Sequence, residues 1–141
     1  MHALHATALP DVFQPVEASV TSVEAMAARV AGDGTTWLVA ERDGDVVGYA
    51  HAEVQREAAT AYKRASATLH VIAIGVTAAQ RGTGAGRALL DALRAMAVAQ
   101  RLDGLTLDVY AFNAAARRFY AREGLATLKE RIVAPLPPGT D

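Results

Sequence analysis

Alternation of apolar and polar positions dominates the middle of the chain, and a helical period takes over on either side of it. Before the middle, Val20, Val23, Met26, Ala27 and Val30 recur at helical spacing and stop at Gly-Asp-Gly, which predicts a helix over Ser19 to Val30 closed by a turn. The stretch TTWLVAERDGDVVGYAHAEVQRE then reads as two strands joined at Asp43-Gly44, a strong hairpin signal. Ala67 to Val76 is a β-branched strand in which Gly75 suggests a bulge. From Gly84 to Arg101 the period is helical again, with Leu89, Leu93, Met96 and Ala97 as an inward stripe. Leu105, Leu107 and Val109 alternate with Thr106, Asp108 and Tyr110 in a further strand. Asn113 stands where a helix N-cap belongs and Gly124 where a helix ends, bracketing AAARRFYARE, and Leu125 to Val133 can form one last strand. This order predicts an α/β (α+β) fold, a sheet flanked by helices.

Composition narrows the picture. A chain of 141 residues without repeats or a dividing linker is the size of a single domain, 1–141, with one core. Apolar residues make up 52%, many of them alanine, which favours close packing of small side chains. A net charge of -1 advertises no polyanion, so no nucleic acid partner is expected. No apolar run is long enough for a membrane span and the start lacks the order of a signal peptide, so no membrane partner is expected either. Without cysteine there is no disulfide, thiolate zinc site or thiol nucleophile, and the expected setting is cytoplasmic. His2 and His5 have a metal-like spacing but stand alone, and no metal is expected.

Candidate chemistry centres on QRGTGAG, Gln80 to Gly86, between a strand and a helix. It has neither the spacing nor the lysine of a Walker loop, and its G-x-G-x-G differs from the dinucleotide fingerprint. A glycine-rich turn at a helix N-terminus still makes a concavity of main-chain N–H groups suited to phosphate oxygens. A tight strand-to-helix connection would carry the same glycines. The segment NAAARRFYAREGL adds a cap, a small residue one turn in, an aromatic pair and a terminator: Asn113, Ala116, Phe119, Tyr120 and Gly124.

Together the two segments resemble the GCN5-related N-acetyltransferase (GNAT) family. Its acetyl-coenzyme A signature, R/Q-x-x-G-x-G/A, is matched by Arg81, Gly84 and Gly86, and its later signature, N-x-x-A-x-x-(L/F)-Y followed by G-F, by Asn113, Ala116, Phe119 and Tyr120, then Gly124 with Leu125 in place of phenylalanine. The resemblance covers roughly Thr36 to Leu125. It implies a mixed, mostly antiparallel sheet with a splay between strands 67–76 and 105–110. It also implies acetyl-CoA as co-substrate, its pyrophosphate on the turn of Arg81, Gly82, Thr83, Gly84, Ala85, Gly86 and Arg87. The pantetheine arm would lie along Ile74, Gly75 and Val76, with Gly75 at the bulge, and Asn113, Ala116 and Phe119 would complete the cofactor site.

The implied reaction moves the acetyl group to a primary amine, on a small molecule or a peptide or protein N-terminus, by direct attack in a ternary complex. An alkylamine with a pKa near 10.4 is neutral in only about one molecule in 2,500 at pH 7, equivalent to roughly 4.6 kcal/mol against attack. The family often removes that proton with a glutamate on the strand before the turn, but the matching position holds Ile72. His70 and Glu53 are the candidate bases. Tyr120 is the candidate acid for the departing thiolate, because a phenol stays neutral at pH 7.

The departures carry expectations of their own. MHALHATALPDVF looks like the tail of the family's first helix, so its first strand is expected to be missing. An edge left open in this way could be covered in a homodimer. A non-catalytic CoA-binding regulatory module remains the alternative function. The acceptor pocket is expected from Ser19 to Val30 and the loop Glu57 to Ser66.

Overall fold

A computed structural model describes residues Gln14–Val16, Ala25–Val30 and 34–139. The chain divides into two compact units, Met1–Asp108 and Val109–Asp141.

The first unit is built on a six-stranded sheet whose spatial order follows the chain: β1 (Gln14–Val16), β2 (Ala25–Val30), β3 (Thr35–Arg42), β4 (Asp45–Glu57), β5 (Ser66–Val76) and β6 (Gly104–Leu107). Neighbours are antiparallel as far as β5, and β6 joins parallel to β5. A parallel partner needs a crossover, and α1 (Ala85–Ala99) supplies it. The sheet is therefore mixed and mostly antiparallel, as the sequence suggested. Asp43 and Gly44 both take positive φ, 53° and 81°, in the two-residue turn between β3 and β4.

The core lies between one face of the sheet and α1. Leu38, Ala40, Ala50, Ala52, Leu69 and Val71 meet Ala85, Ala88, Leu89, Ala92, Leu93 and Ala97, all buried. Four of the six helix residues are alanines, so the helix backbone can approach the sheet closely, and Leu89 and Leu93 supply most of the apolar area.

Three sequence expectations are corrected. Ala25–Val30 is a strand, not the end of a helix: it pairs with β3 in register from Ala25↔Glu41 to Val30↔Thr36. Alanine-rich segments satisfy either period, and six ladder partners decide between them. With β1 beyond it, two strands precede the hairpin where none was expected. The rest of the predicted helix, the opening segment, His2 and His5 lie outside the described residues. Leu125 to Val133 forms no strand; Leu128, Ile132 and Val133 are exposed. Finally, the irregularity in the β4–β5 ladder is not at Gly75. Its register passes from His51↔Ala73 to Ala52↔Val71, leaving Ile72 as the extra residue.

The second unit contains α2 (Ala114–Arg122). Asn113 Oδ1 accepts from Ala116 N at 3.1 Å, and Gly124, at φ 89°, closes the helix with Leu125 N donating to Tyr120 O and Gly124 N to Ala121 O. Both ends are capped as read from the sequence.

Candidate active site

β5 carries most of the site in the first unit. β6 pairs with it only from Thr68↔Gly104 to Val71↔Leu107, so the two strands part beyond Val71. The bulged residue Ile72 falls at the parting point. Ile74, Gly75 and Val76 then keep β4 on one edge, in register with Ala50, Tyr49 and Gly48, while among the described residues β6 offers nothing to the other edge. That free edge is what an amide-bearing arm needs in order to pair as a strand does. Gly75 is glycine for a steric reason: a Cβ there would lie 2.7 Å from Cε1 of Tyr49, whose ring covers the position.

After Val76 the chain makes a single 3-10 turn over Ala78–Gln80 and reaches the glycines. Gly82 and Gly84 adopt φ 79° and 95°, left-handed values that a side chain would strain. Arg81 N and Thr83 N donate within the turn, to Ala78 O and Gln80 O, each at 3.3 Å. Gly84 caps α1 without a side chain, and no acidic residue occupies the first turn. The opening N–H groups of a helix have no intrahelical acceptor, so Gly84, Ala85 and Gly86 form an electropositive end suited to a phosphate. Of the run from Arg81 to Arg87, the N–H groups of Arg81 and Thr83 are engaged within the turn. Sequence reading missed what anchors it: Arg42 Nη1, at the end of β3, donates to Gln80 Oε1, which also lies 3.4 Å from Thr83 Oγ1. No local spacing signals a contact across 38 residues.

The two candidate bases come together. Glu53 on β4 and His70 on β5 are directly paired, and Thr106 on β6 pairs with His70 on its other side. His70 Nδ1 is 2.9 Å from Thr106 Oγ1, and its Nε2 is 3.7 Å from Asp108 Oδ2. Glu53 Oε1 accepts from Gln55 Nε2 at 3.3 Å. On the same face, away from α1, the Trp37 ring stacks on His51 at 3.9 Å and on Tyr49 at 6.5 Å. His51 Nε2 is buried without a hydrogen-bond partner. Ile72, where the family pattern would place a glutamate, is 46% exposed.

Asn113, Ala116, Phe119 and Tyr120 belong to the second unit. Phe119 and Tyr120 lie with ring centroids 5.3 Å apart. The Tyr120 phenol is pushed above its ordinary value by burial, which penalises the phenolate. Such a group holds its proton throughout the neutral range.

The loop named as an acceptor wall joins the end of β4 at Glu57 to the start of β5 at Ser66. A cavity of about 540 Å³ beside it, lined by Arg56, Ser66 and Asp103 among others, lies at the start of β5, the opposite end from the glycine turn. Among the described residues no helix is long and apolar enough to cross a membrane.

Similarity to known proteins agrees with this fold. A single-substitution mutant of the BH1408 protein from Bacillus halodurans superposes with a TM-score of 0.73 at 24% identity, over 94% of this chain and 85% of that one. The aminoglycoside N-acetyltransferase AAC(6')-Iy, solved in complex with CoA, gives 0.64 at 17% identity over 75% and 78%. A ribosomal-protein-alanine N-acetyltransferase from Brucella melitensis biovar Abortus 2308 gives 0.60 at 24% identity over 74% and 73%. No curated protein matches the chain by sequence. The profile of the Acetyltransferase (GNAT) family matches residues 2–125, and the chain belongs to that family.

Proposed function

We propose that the protein is an acetyl-CoA-dependent N-acetyltransferase whose acceptor is a primary amine, acting by direct attack in a ternary complex. The observation that carries this reading is the strand β5, freed from β6 beyond Val71 and running into a left-handed glycine turn at the start of α1. An extended arm ending in a pyrophosphate fits those features in that order. The relatives named for an aminoglycoside and for a ribosomal protein's alanine share only the amine, which supports leaving the acceptor at that class.

When bound, acetyl-CoA supplies an activated acetyl thioester. Main-chain N–H groups of Gly84, Ala85 and Gly86 hold the pyrophosphate, with the side chains of Arg81 and Arg87 on either side of them in sequence. The free edge of Ile74, Gly75 and Val76 orients the arm, and a strand N–H there stabilises charge on the carbonyl oxygen. His70, flanked by Glu53, takes the amine proton. On the second unit, Tyr120, kept protonated by burial, is the donor that the family signature assigns to the leaving thiolate, and Asn113, Ala116 and Phe119 are the cofactor residues of that signature.

A non-catalytic CoA-binding module is the second reading, favoured by one observation: exposed Ile72 stands in place of the glutamate. Thermal melts test the binding common to both. Acetyl-CoA at one hundred times its dissociation constant should add about 2.7 kcal/mol of apparent stability. Gly86→Asp, which sets a carboxylate against the pyrophosphate, should abolish the shift. No shift with wild type at millimolar cofactor would refute the site.

A further inference from the structure

We propose that Thr106, His70 and Asp108 form the proton-accepting relay of the transfer reaction, with His70 as the acceptor, Thr106 as the hydroxyl between it and the amine, and Asp108 as a positioning residue. This assignment rests on the N-acetyltransferase reading above and deepens it.

Three strands bring the groups together. His70 has Glu53 as its ladder partner on β4 and Thr106 on β6, and Asp108 follows two residues later, where β6 has ended and the splay begins. The contacts divide the two imidazole nitrogens. Asp108 Oδ2 lies 3.7 Å from Nε2, within ion-pair reach but longer than a hydrogen bond, and since a carboxylate can only accept, the relay takes the tautomer with its proton on Nε2. Nδ1 is then the basic nitrogen and accepts from the Thr106 hydroxyl at 2.9 Å. In the relay these two partners favour that tautomer, as in a nucleophile–base–carboxylate set where the third group orients the base. In the first unit the titratable groups sharing this face on the adjoining strands are Tyr49, His51, Glu53 and Glu57 on β4 and Asp108 after β6.

The step balances as follows. The amine nitrogen forms its bond to the acetyl carbon and loses one N–H bond, while the carbon–sulfur bond of the thioester breaks and its electron pair leaves with the thiolate of coenzyme A. That proton passes to Thr106 Oγ1 as the hydroxyl's own proton passes to His70 Nδ1, and the resulting imidazolium keeps its Nε2–H toward the Asp108 carboxylate. Ile72 has no place in this route. The relay therefore accounts for a family site without the usual glutamate.

The test is thiol release from acetyl-CoA with an accepted amine from pH 7 to 10, for wild type, His70→Gln, Thr106→Val, Thr106→Ser and Asp108→Asn, with cofactor-induced thermal shifts for each. General-base loss is worth about 10²- to 10⁴-fold, so His70→Gln should lose at least a hundredfold in kcat/KM at pH 7 and recover much of it by pH 10, where the amine deprotonates unaided. Thr106→Val should lose about tenfold or more with the same recovery, and Thr106→Ser should restore activity, with cofactor shifts unchanged. Nitrogen NMR of the imidazole should show protonated Nε2 in wild type, with that preference lost in Asp108→Asn. Losses that are independent of pH, a Thr106→Val enzyme within threefold of wild type, or an imidazole protonated at Nδ1 would each overturn the relay. A wild type that binds cofactor but acetylates no amine overturns the enzyme reading and the relay together; a working wild type with an unaffected His70→Gln overturns the relay alone.

Discussion

At Gly75 the missing side chain is explained by the Tyr49 ring across the ladder, and its substitution should be costly. Gly75→Ala places a methyl group 2.7 Å from Tyr49 Cε1. Overpacking of this kind costs typically 1–3 kcal/mol, so denaturant melts should show a loss in that range. Tyr49→Ala in the same chain should return part of it, and additive losses would refute the contact. Tyr120 offers the sharper functional test. Tyr120→Phe keeps the ring and removes the donor, so turnover should fall by about 10²- to 10⁴-fold while cofactor binding is spared. Its raised value also has a sign in stability. Folding opposes the phenolate, so this group's contribution is complete below the unfolded value near 10 and is lost as pH rises through the raised folded value. Alkaline melts of wild type should therefore fall more steeply than those of Tyr120→Phe, and parallel curves would contradict the burial. The cap at Asn113 and the left-handed turn at Gly82 and Gly84 were legible because short local patterns mark them. The reason for Gly75 was not, because it lies on another strand.

Among the elements, α1 shows how much of the fold local pattern can specify. Its stripe of Leu89, Leu93, Met96 and Ala97 was read directly from the period; Leu89, Leu93 and Ala97 are buried in the core and Met96 packs half-buried against it. Leu93→Ala should cost about 2–5 kcal/mol in chemical melts, because a fully buried leucine leaves a cavity. A loss below about 1 kcal/mol would contradict the packing. Asn113→Ala should cost about 0.5–2 kcal/mol through the lost cap on Ala116 N. The misread elements share a cause. In Ala25 to Val30 the alanines suit strand and helix alike, so pairing with β3 decides, and that pairing is invisible to a local window. Leu125 to Val133 has strand-forming residues but gains no ladder partner. The bulge at Ile72 was expected three residues later, because glycine is only one cause of irregularity; here it coincides with the parting from β6.

For the whole molecule, the two signatures in order, Arg81 to Gly86 and Asn113 to Tyr120, made the family legible before any geometry was known. The acceptor was not legible, since amine pockets have no short code, and neither was the place of Thr106 beside Glu53 and His70, because three separate strands assemble that row. The proposed function is catalysis as well as binding. Its central claim is tested most directly by incubating the protein with acetyl-CoA and a panel of small amines, amino acids and peptide N-termini, and following free thiol together with the mass of each amine. Amine-dependent thiol release in step with one acetylated amine, absent in Gly86→Asp, is the predicted result. Tight cofactor binding with thiol release no faster than in the amine-free control for every amine would contradict it.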